Sequence, residues 1–394
     1  MKILIVSQRY WPESFRITDI AETLVKEGHK VTVLTGLPNY PQGYLYDGYK
    51  HGENRVQEHN GVKIFRAKEI ERRNDVLHRF LNYYSFPHYA KKLIKKLDDD
   101  FDVVLINELS PIMAATPAFW YKKKHNVKVV MYEMDLWPES LLAGGIKKDS
   151  FIYNHYKKVS AKIYSQCDKI LVSTKEHIDY IKALSGCDKL DIDYLPQYAE
   201  EQFEKIESKP LKEGDAINLM FAGNIGKAQS VDTIIRAAAL LKDDKRFKFH
   251  IVGSGSEYDN IVKLSKELNA MNVIFYGQKN VVDMPKLYEM AQIMLVTLED
   301  QAYANMTIPG KVQSYLAAGR MIVGCCNGAT ANFISENVCG LSVNSNDFLN
   351  FSELIRKVTI REIVLYSKNA LISYKKFNKR IFINRLLNEL KFSH

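Results

Sequence analysis

Ile293-Met294-Leu295-Val296-Thr297 leads through a polar loop into Met306-Thr307-Ile308-Pro309-Gly310-Lys311-Val312-Gln313-Ser314-Tyr315-Leu316-Ala317-Ala318-Gly319. The first run is short and apolar, which predicts a buried strand. The second predicts a short helix that stops at Gly319. Pro309 suits its first turn, where no backbone donor is needed. The unpaired N–H groups of that turn would face whatever sits above the strand end, and Lys311 adds a full positive charge. Strand, loop, helix start and lysine together suit a phosphate. An ordinary strand-to-helix turn with a solvated lysine is the plainer reading, and these residues taken alone favour it.

The same alternation fills the chain on either side. Lys2–Ser7 and Val31–Leu34 read as strands around an amphipathic helix that includes Asp19–Lys26 and closes at Gly28. Val103–Ile106, Lys128–Tyr132 and Lys169–Val172 read as further strands, with helical patterns at Ile112–Lys124, Ser150–Gln166 and Lys175–Leu184 between them. This order predicts a parallel α/β sheet covered by helices. The pattern breaks at Pro38–Tyr49, a loop rich in Pro, Gly, Asn and Tyr, and resumes as a helix over Val76–Leu97. After Leu195-Pro196-Gln197-Tyr198 and the charged stretch Glu200–Gly214, a second alternation begins. Its strands are Ile217–Phe221, Phe247–Val252, Val273–Tyr276, Ile293–Thr297 and Met321–Cys325. At 394 residues the chain exceeds one comfortable core. Two domains are expected, 1–197 and 198–394, the second ending in a basic, helical tail from Lys375.

The composition is that of a soluble globular protein, and no apolar run reaches the length of a signal peptide or a membrane span. The five cysteines are scattered and show no paired ligand spacing, which fits free thiols in a reducing cytosol. The net charge is +9, concentrated in the first half at Arg66, Lys68, Arg72, Arg73 and Arg79 and again at Lys91, Lys92, Lys95 and Lys96. The helix over Val76–Leu97 sets Phe80, Tyr83, Tyr84, Phe86 and Tyr89 among these basic residues. Such a helix could lie on an anionic bilayer, or its aromatics could turn to the core. The basic residues form no recognisable nucleic-acid module, so no nucleic-acid partner is expected.

Three strand ends carry glycine or lysine. Phe221-Ala222-Gly223-Asn224-Ile225-Gly226-Lys227 lacks P-loop spacing, and Val252-Gly253-Ser254-Gly255-Ser256-Glu257 has Tyr258 where a dinucleotide fingerprint needs its third glycine. The first strand lacks the fingerprint too, which argues against an NAD-dependent dehydrogenase. In an open parallel sheet, strand C-termini converge on one crevice. Gly223–Lys227, Gly253–Gly255 and Pro309–Lys311 would therefore share one edge, suited to a phosphorylated or nucleotide ligand. Trp-Pro-Glu-Ser occurs at Trp11–Ser14 and again at Trp137–Ser140. Glu13, Glu139 and Asp135 are thus candidate carboxylates for general-base or substrate-holding work, although Pro-Glu-Ser is also an ordinary helix start. Asp191-Ile192-Asp193 has metal-binding form but falls in a strand, with both acids on one solvated face, and no metal is expected.

In order and spacing these motifs resemble the retaining, GT-B-fold glycosyltransferases of the GT4 family. More narrowly, the chain looks like bacterial N-acetyl-L-fucosamine transferases of O-antigen and capsule synthesis. The markers are the two Trp-Pro-Glu-Ser segments, Leu34–Pro41, Asp135–Ser140, Ala222–Lys227 and Ile308–Ala317. The resemblance implies an α/β fold of two Rossmann-like domains whose parallel sheets face a central cleft. It assigns catalysis to Asp135, Lys227 and Lys311. Donor binding falls to Gly223, Asn224, Gly226, Gly253, Ser254, Gly255, Gln278, Thr307, Ile308, Pro309, Gly310 and Ser314. Acceptor binding falls to Trp11, Glu13, Ser14, Arg16, Asn39, Tyr40, Trp137 and Glu139. The implied donor is a UDP-sugar, with no metal and no cofactor. The implied acceptor is a saccharide on undecaprenyl diphosphate, met at the anionic inner face of the cell membrane by a cytoplasmic, peripherally bound enzyme. Two glutamates common in the family fall here at Met306 and Ser314, and Met134 stands where a histidine often precedes the aspartate. Sugar-nucleotide epimerases share the architecture, and a non-catalytic nucleotide-sugar-binding protein would share the donor motifs.

Overall fold

The computed structural model describes residues 1–73, 75–97, 100–207 and 211–391. The chain forms two compact units. One is Met1–Leu195 joined by the described residues from Ile383 on, and the other is Pro196–Phe382.

The first unit is built on eight strands: β1 (Lys2–Val6), β2 (Lys30–Thr35), β3 (Val56–His59), β4 (Val62–Arg66), β5 (Val103–Glu108), β6 (Lys128–Glu133), β7 (Lys169–Val172) and β8 (Ile192–Tyr194). Their order is β3-β4-β2-β1-β5-β6-β7-β8, and only the β3–β4 pair is antiparallel. β5 is buried along its whole length, including Asn107 and Glu108, because helices cover both faces of a parallel sheet. The β3–β4 hairpin falls where the sequence pattern seemed to break. Its turn is Asn60-Gly61, both with positive φ (48° and 78°), as a tight hairpin turn requires. Asp191, just before β8, and Asp193, within it, lie on one exposed face, as alternation predicts, and both pair there with the Lys169 ammonium.

The helix Val76–Ile94 is capped by the Asp75 carboxylate and divides its side chains between core and solvent. Asn82, Ser85, Phe86 and Ala90 face inward, while Leu77, Phe80, Leu81 and Tyr84 are exposed. Of the aromatics, Phe86 therefore turns to the core, while Phe80 and Tyr84 do not. Among the described residues no helix is long and apolar enough to cross a membrane.

The second unit holds six parallel strands: β9 (Ile217–Ala222), β10 (Phe247–Val252), β11 (Val273–Gly277), β12 (Ile293–Thr297), β13 (Met321–Cys325) and β14 (Gly340–Val343). They run in the order β11-β10-β9-β12-β13-β14. Alternation along β9 sends Leu219 and Phe221 into one apolar layer and Met220 and Ala222 into the other. β14 escaped the sequence reading because it opens on Gly340, where a Cβ would lie 1.8 Å from the Ile322 carbonyl oxygen.

Strand order reverses at β1 in the first sheet, which lies between β2 and β5, and at β9 in the second, between β10 and β12. Such switch points open a crevice at the strand C-termini. The end of the chain departs from its expected place with the second domain. Ile383, Leu386 and Leu390 are buried, and the Lys128 ammonium donates to the carbonyls of Glu389 (2.7 Å) and Lys391 (3.0 Å). All five cysteines are free. Cys167, Cys325, Cys326 and Cys339 are buried, and Cys187 is partly exposed.

Candidate functional site

In the second unit the switch point brings the expected donor-side segments together. The β9 and β10 loops meet backbone to backbone: Gly223 N–H donates to Val252 O, and Ile225 N–H to Ser254 O. A Cβ on Gly253 (φ 137°) would sit 1.8 Å from Gly223 O, and one on Gly255 (φ 159°) 2.4 Å from Ile225 O. These glycines let two loops cross, a constraint that exists before any ligand arrives. Ser254 Oγ donates to Gln278 Oε1 (3.2 Å), adding the β11 end to the same edge. Gly223, Asn224 and Lys227 are exposed there.

Lys311 opens the helix Lys311–Ala317, with Gly310 as its N-cap and Pro309 just outside. Val312 N–H reaches back to Pro309 O, so the proline carbonyl starts the turn although the proline lies outside the helix. The Lys311 side chain runs back to β9. Its Nζ lies 3.9 Å from the Phe221 ring centroid and donates to Gln229 Oε1 at 2.6 Å. A Cβ on Gly223 would approach that Nζ to 3.1 Å. Burial pushes the ammonium down to about 7. Tyr315, one turn along, is fully buried and bonds through its hydroxyl to both the N–H and the carbonyl of Ala222. Thr307 Oγ1 turns into its own loop, to Tyr303 O, and Thr307 O accepts from Thr330. Ser314 Oγ donates to Glu200 Oε2 (3.2 Å). Gln229 carried no signal in the sequence, since it lies outside every motif and acts only through Lys311.

In the first unit the expected acceptor-side residues divide. Glu13 is buried, and its Oε1 accepts from the N–H groups of Asn39 (2.8 Å) and Tyr40 (2.7 Å) and from Arg9 (3.3 Å). It fastens the Pro38–Tyr49 loop to the end of β1. Beneath it Glu69 accepts from Arg9 (3.2 Å), Asn82 (3.2 Å) and Asn39. Burial pushes Glu69 up to about 7, with Arg9 opposing and Glu13 adding to the push. Asn39 is fully buried inside this network. Trp11 stacks on His59 at 4.0 Å, Ser14 is exposed, Arg16 begins the first helix, and Tyr40 is exposed beside Phe15. Glu139 is buried, accepting from the hydroxyls of Tyr153 (2.6 Å) and Tyr180 (2.7 Å).

Asp135 lies partly exposed just beyond β6. Its Oδ2 accepts from the Ser110 hydroxyl, and Ser110 Oγ accepts from the Trp137 indole N–H at 2.9 Å. Trp137 is itself only 1% exposed, packed against Tyr83 and Tyr156, so its ring faces the core and it supports Asp135 through Ser110. Three more buried groups lie below. Glu108 Oε2 accepts from Asp135 N–H (3.4 Å), and Glu133 Oε2 pairs with His177 Nδ1 at 2.7 Å. Burial, then the charges of Glu133 and Asp135, holds Glu108 well above the usual carboxylate range. Burial lifts Asp135 to about 6, against the pull of the Ser110 hydroxyl. Glu108 and Glu133 end strands that are mostly apolar, and an acid at the close of a buried run was the available signal. Among the described residues no group of three or more His, Cys, Asp or Glu is placed to hold a metal ion.

Residues 15–197 match Glycosyltransferase Family 4, and residues 202–376 match Glycosyl transferases group 1. The chain is 25% identical over 243 residues to WbjE of Pseudomonas aeruginosa, named as a probable glycosyltransferase, a match spanning 59% of this chain and 60% of that one. It is 23% identical over 353 residues to WcaI of Escherichia coli, provisionally named a colanic acid biosynthesis glycosyl transferase, across 81% and 82% of the two chains. Among solved structures it superimposes on WaaG, a glycosyltransferase involved in lipopolysaccharide biosynthesis, with a TM-score of 0.70 at 16% identity, covering 99% of each chain. The two sheets are those of a GT-B fold.

Proposed function

We propose that this chain transfers an N-acetylated deoxyamino sugar, L-FucNAc foremost, from UDP to a saccharide carried on a lipid diphosphate, a reading supported by the matches of residues 15–197 to Glycosyltransferase Family 4 and of residues 202–376 to Glycosyl transferases group 1. The product would enter a bacterial surface polysaccharide, and the anomeric configuration would be retained. The carrying observation is the cationic edge of the second unit, where Lys311 and the exposed Lys227 border glycine loops that expose backbone. Two cations beside exposed N–H groups stabilise the charge that develops on a departing nucleoside diphosphate. In the first unit Asp135 is the carboxylate available to hold an acceptor hydroxyl, and its raised titration suits proton exchange near neutrality. The retained configuration and the UDP-sugar follow from the family resemblance. The polysaccharide context agrees with the names of WcaI and WaaG.

A lipid-borne acceptor fits the surface of the first unit. Leu77, Phe80 and Tyr84 are exposed on one helix, and Phe151 (87% exposed) and Ile152 on another, with the hydroxyls of Tyr84 and Tyr156 joining the two at 3.0 Å. Exposed Arg79, Lys157 and Lys158 belong to the same helices. Apolar and basic side chains together suit an anionic, lipid-containing surface.

The test is a donor screen with a synthetic lipid-diphosphate saccharide, read as a mass shift of the acceptor. One deoxyamino-sugar addition from a UDP donor is expected. Turnover of the UDP-sugar without acceptor would point to an epimerase, and no turnover beside measurable UDP binding would point to a non-catalytic binder. Flotation with liposomes should recover more protein when anionic lipid is present, and equal recovery without it would remove the membrane from the proposal.

A further inference from the structure

Among the described residues Lys311 has no counter-ion. The ionisable groups on the elements around it are Lys227 on the β9 loop, Tyr315 on its own helix, Glu299 and Asp300 after β12, and Glu200 beside Ser314. Tyr315 is bonded to Ala222, Asp300 accepts from Asn305 and Asn327, and Glu200 accepts from Ser314. Among the described residues none of them reaches Lys311, whose titration is moved by burial alone. What Nζ meets is neutral: the Phe221 ring, the Gln229 amide oxygen and the open face of Gly223. A ring face and an amide oxygen stabilise an ammonium partly, but they do not replace water and a full opposite charge. The amine therefore gives up its proton far more readily than a solvated lysine, and an arriving dianion restores the reason to keep it.

Resting on the donor reading above, we propose that binding of a nucleoside diphosphate at this edge is coupled to uptake of a proton by Lys311, with Gln229 keeping the amine of the empty site aimed. The bond formed is N–H on Nζ, the proton comes from solvent buffer, and the pair that accepts it is the amine lone pair. Departure of the diphosphate returns the proton. The ammonium is thus present only while there is phosphate charge to meet.

Titration calorimetry with UDP, on the full chain at about pH 8.5 in buffers of different ionisation enthalpy, tests this. Wild type should take up close to one proton per UDP, and its affinity should weaken up to about tenfold per pH unit from about pH 7.5 to 9. Lys311→Arg, charged throughout, should bind UDP with no uptake from this position. Gln229→Glu places a carboxylate where the amide oxygen lies, 2.6 Å from Nζ, keeps the ammonium charged, and should likewise lose the uptake. UDP binding whose heat is independent of buffer, or an uptake that survives in Lys311→Arg, overturns the coupling alone. No binding of UDP under any condition overturns the donor reading and the coupling together.

Discussion

Lys311 and Asp135 are both held partly away from water, and burial moves their titrations in opposite senses, down to about 7 and up to about 6. For Lys311 the unfolded chain binds more protons than the folded one between about pH 7 and the ordinary lysine value. The group's contribution to stability therefore rises with pH across that window and is least favourable at or below pH 7. Lys311→Met should raise urea-measured stability at pH 7 by about 1–3 kcal/mol, with the gain shrinking toward pH 10, and should cut transfer by roughly 100-fold or more. A variant no more stable than wild type at pH 7 would contradict the burial cost. The Ser110 hydroxyl pulls Asp135 down, so Ser110→Ala should move the acid limb of the pH–rate profile to higher pH by about half a unit to one unit. It should lower kcat/KM at pH 6 by about two- to fivefold. Asp135, Lys227 and Lys311 were legible because they sit in motifs. Ser110 and Gln229 were not, since each works only through a neighbour that folding supplies.

The strands and glycine loops set how far single substitutions reach. Gly253 and Gly28 both have positive φ, 137° and 85°, but only Gly253 lies where a Cβ would strike backbone. Gly253→Ala should cost roughly 3 kcal/mol by parting the β9 and β10 loops, whereas Gly28→Ala, with nothing within 4 Å, should cost about 1 kcal/mol. Chemical denaturation of the pair checks the contrast, and equal losses would mean that conformational strain alone matters. The sequence pattern located β7, β10, β12 and β13 at their observed limits, because buried parallel strands are rich in apolar residues. The β3–β4 hairpin carried its signal in Asn60-Gly61, but β3 is half-solvated and its residues, Val-Gln-Glu-His, are too polar to stand out. The paired glycines at 253 and 255 were read as room for a phosphate. They are first of all room for another loop.

At the scale of the whole chain, folding collects polar residues that sequence keeps far apart. Arg9, Glu13, Asn39, Glu69 and Asn82 share one buried network in the first unit, and no spacing rule could have joined position 9 to position 82. Glu69 titrates near 7 when folded, so the folded chain binds the extra proton between the ordinary glutamate range and about pH 7. Its contribution to stability is therefore lost as pH rises through that interval. Wild type should lose about 2–3 kcal/mol between pH 5 and 8 that Glu69→Gln does not lose, as read from denaturation midpoints across pH. Parallel slopes would place the titration elsewhere. The thiols offer an observable of another kind. Cys167 and Cys187 belong to the first unit and Cys325, Cys326 and Cys339 to the second, and burial raises Cys325 to about 11 and Cys326 and Cys339 to about 12. Alkylation in native buffer should therefore mark Cys187 promptly and the four buried thiols only as each sheet opens. Peptide mass spectrometry of a pulse-labelled sample would then time the opening of each unit of the chain from its own side chains, with no reporter added.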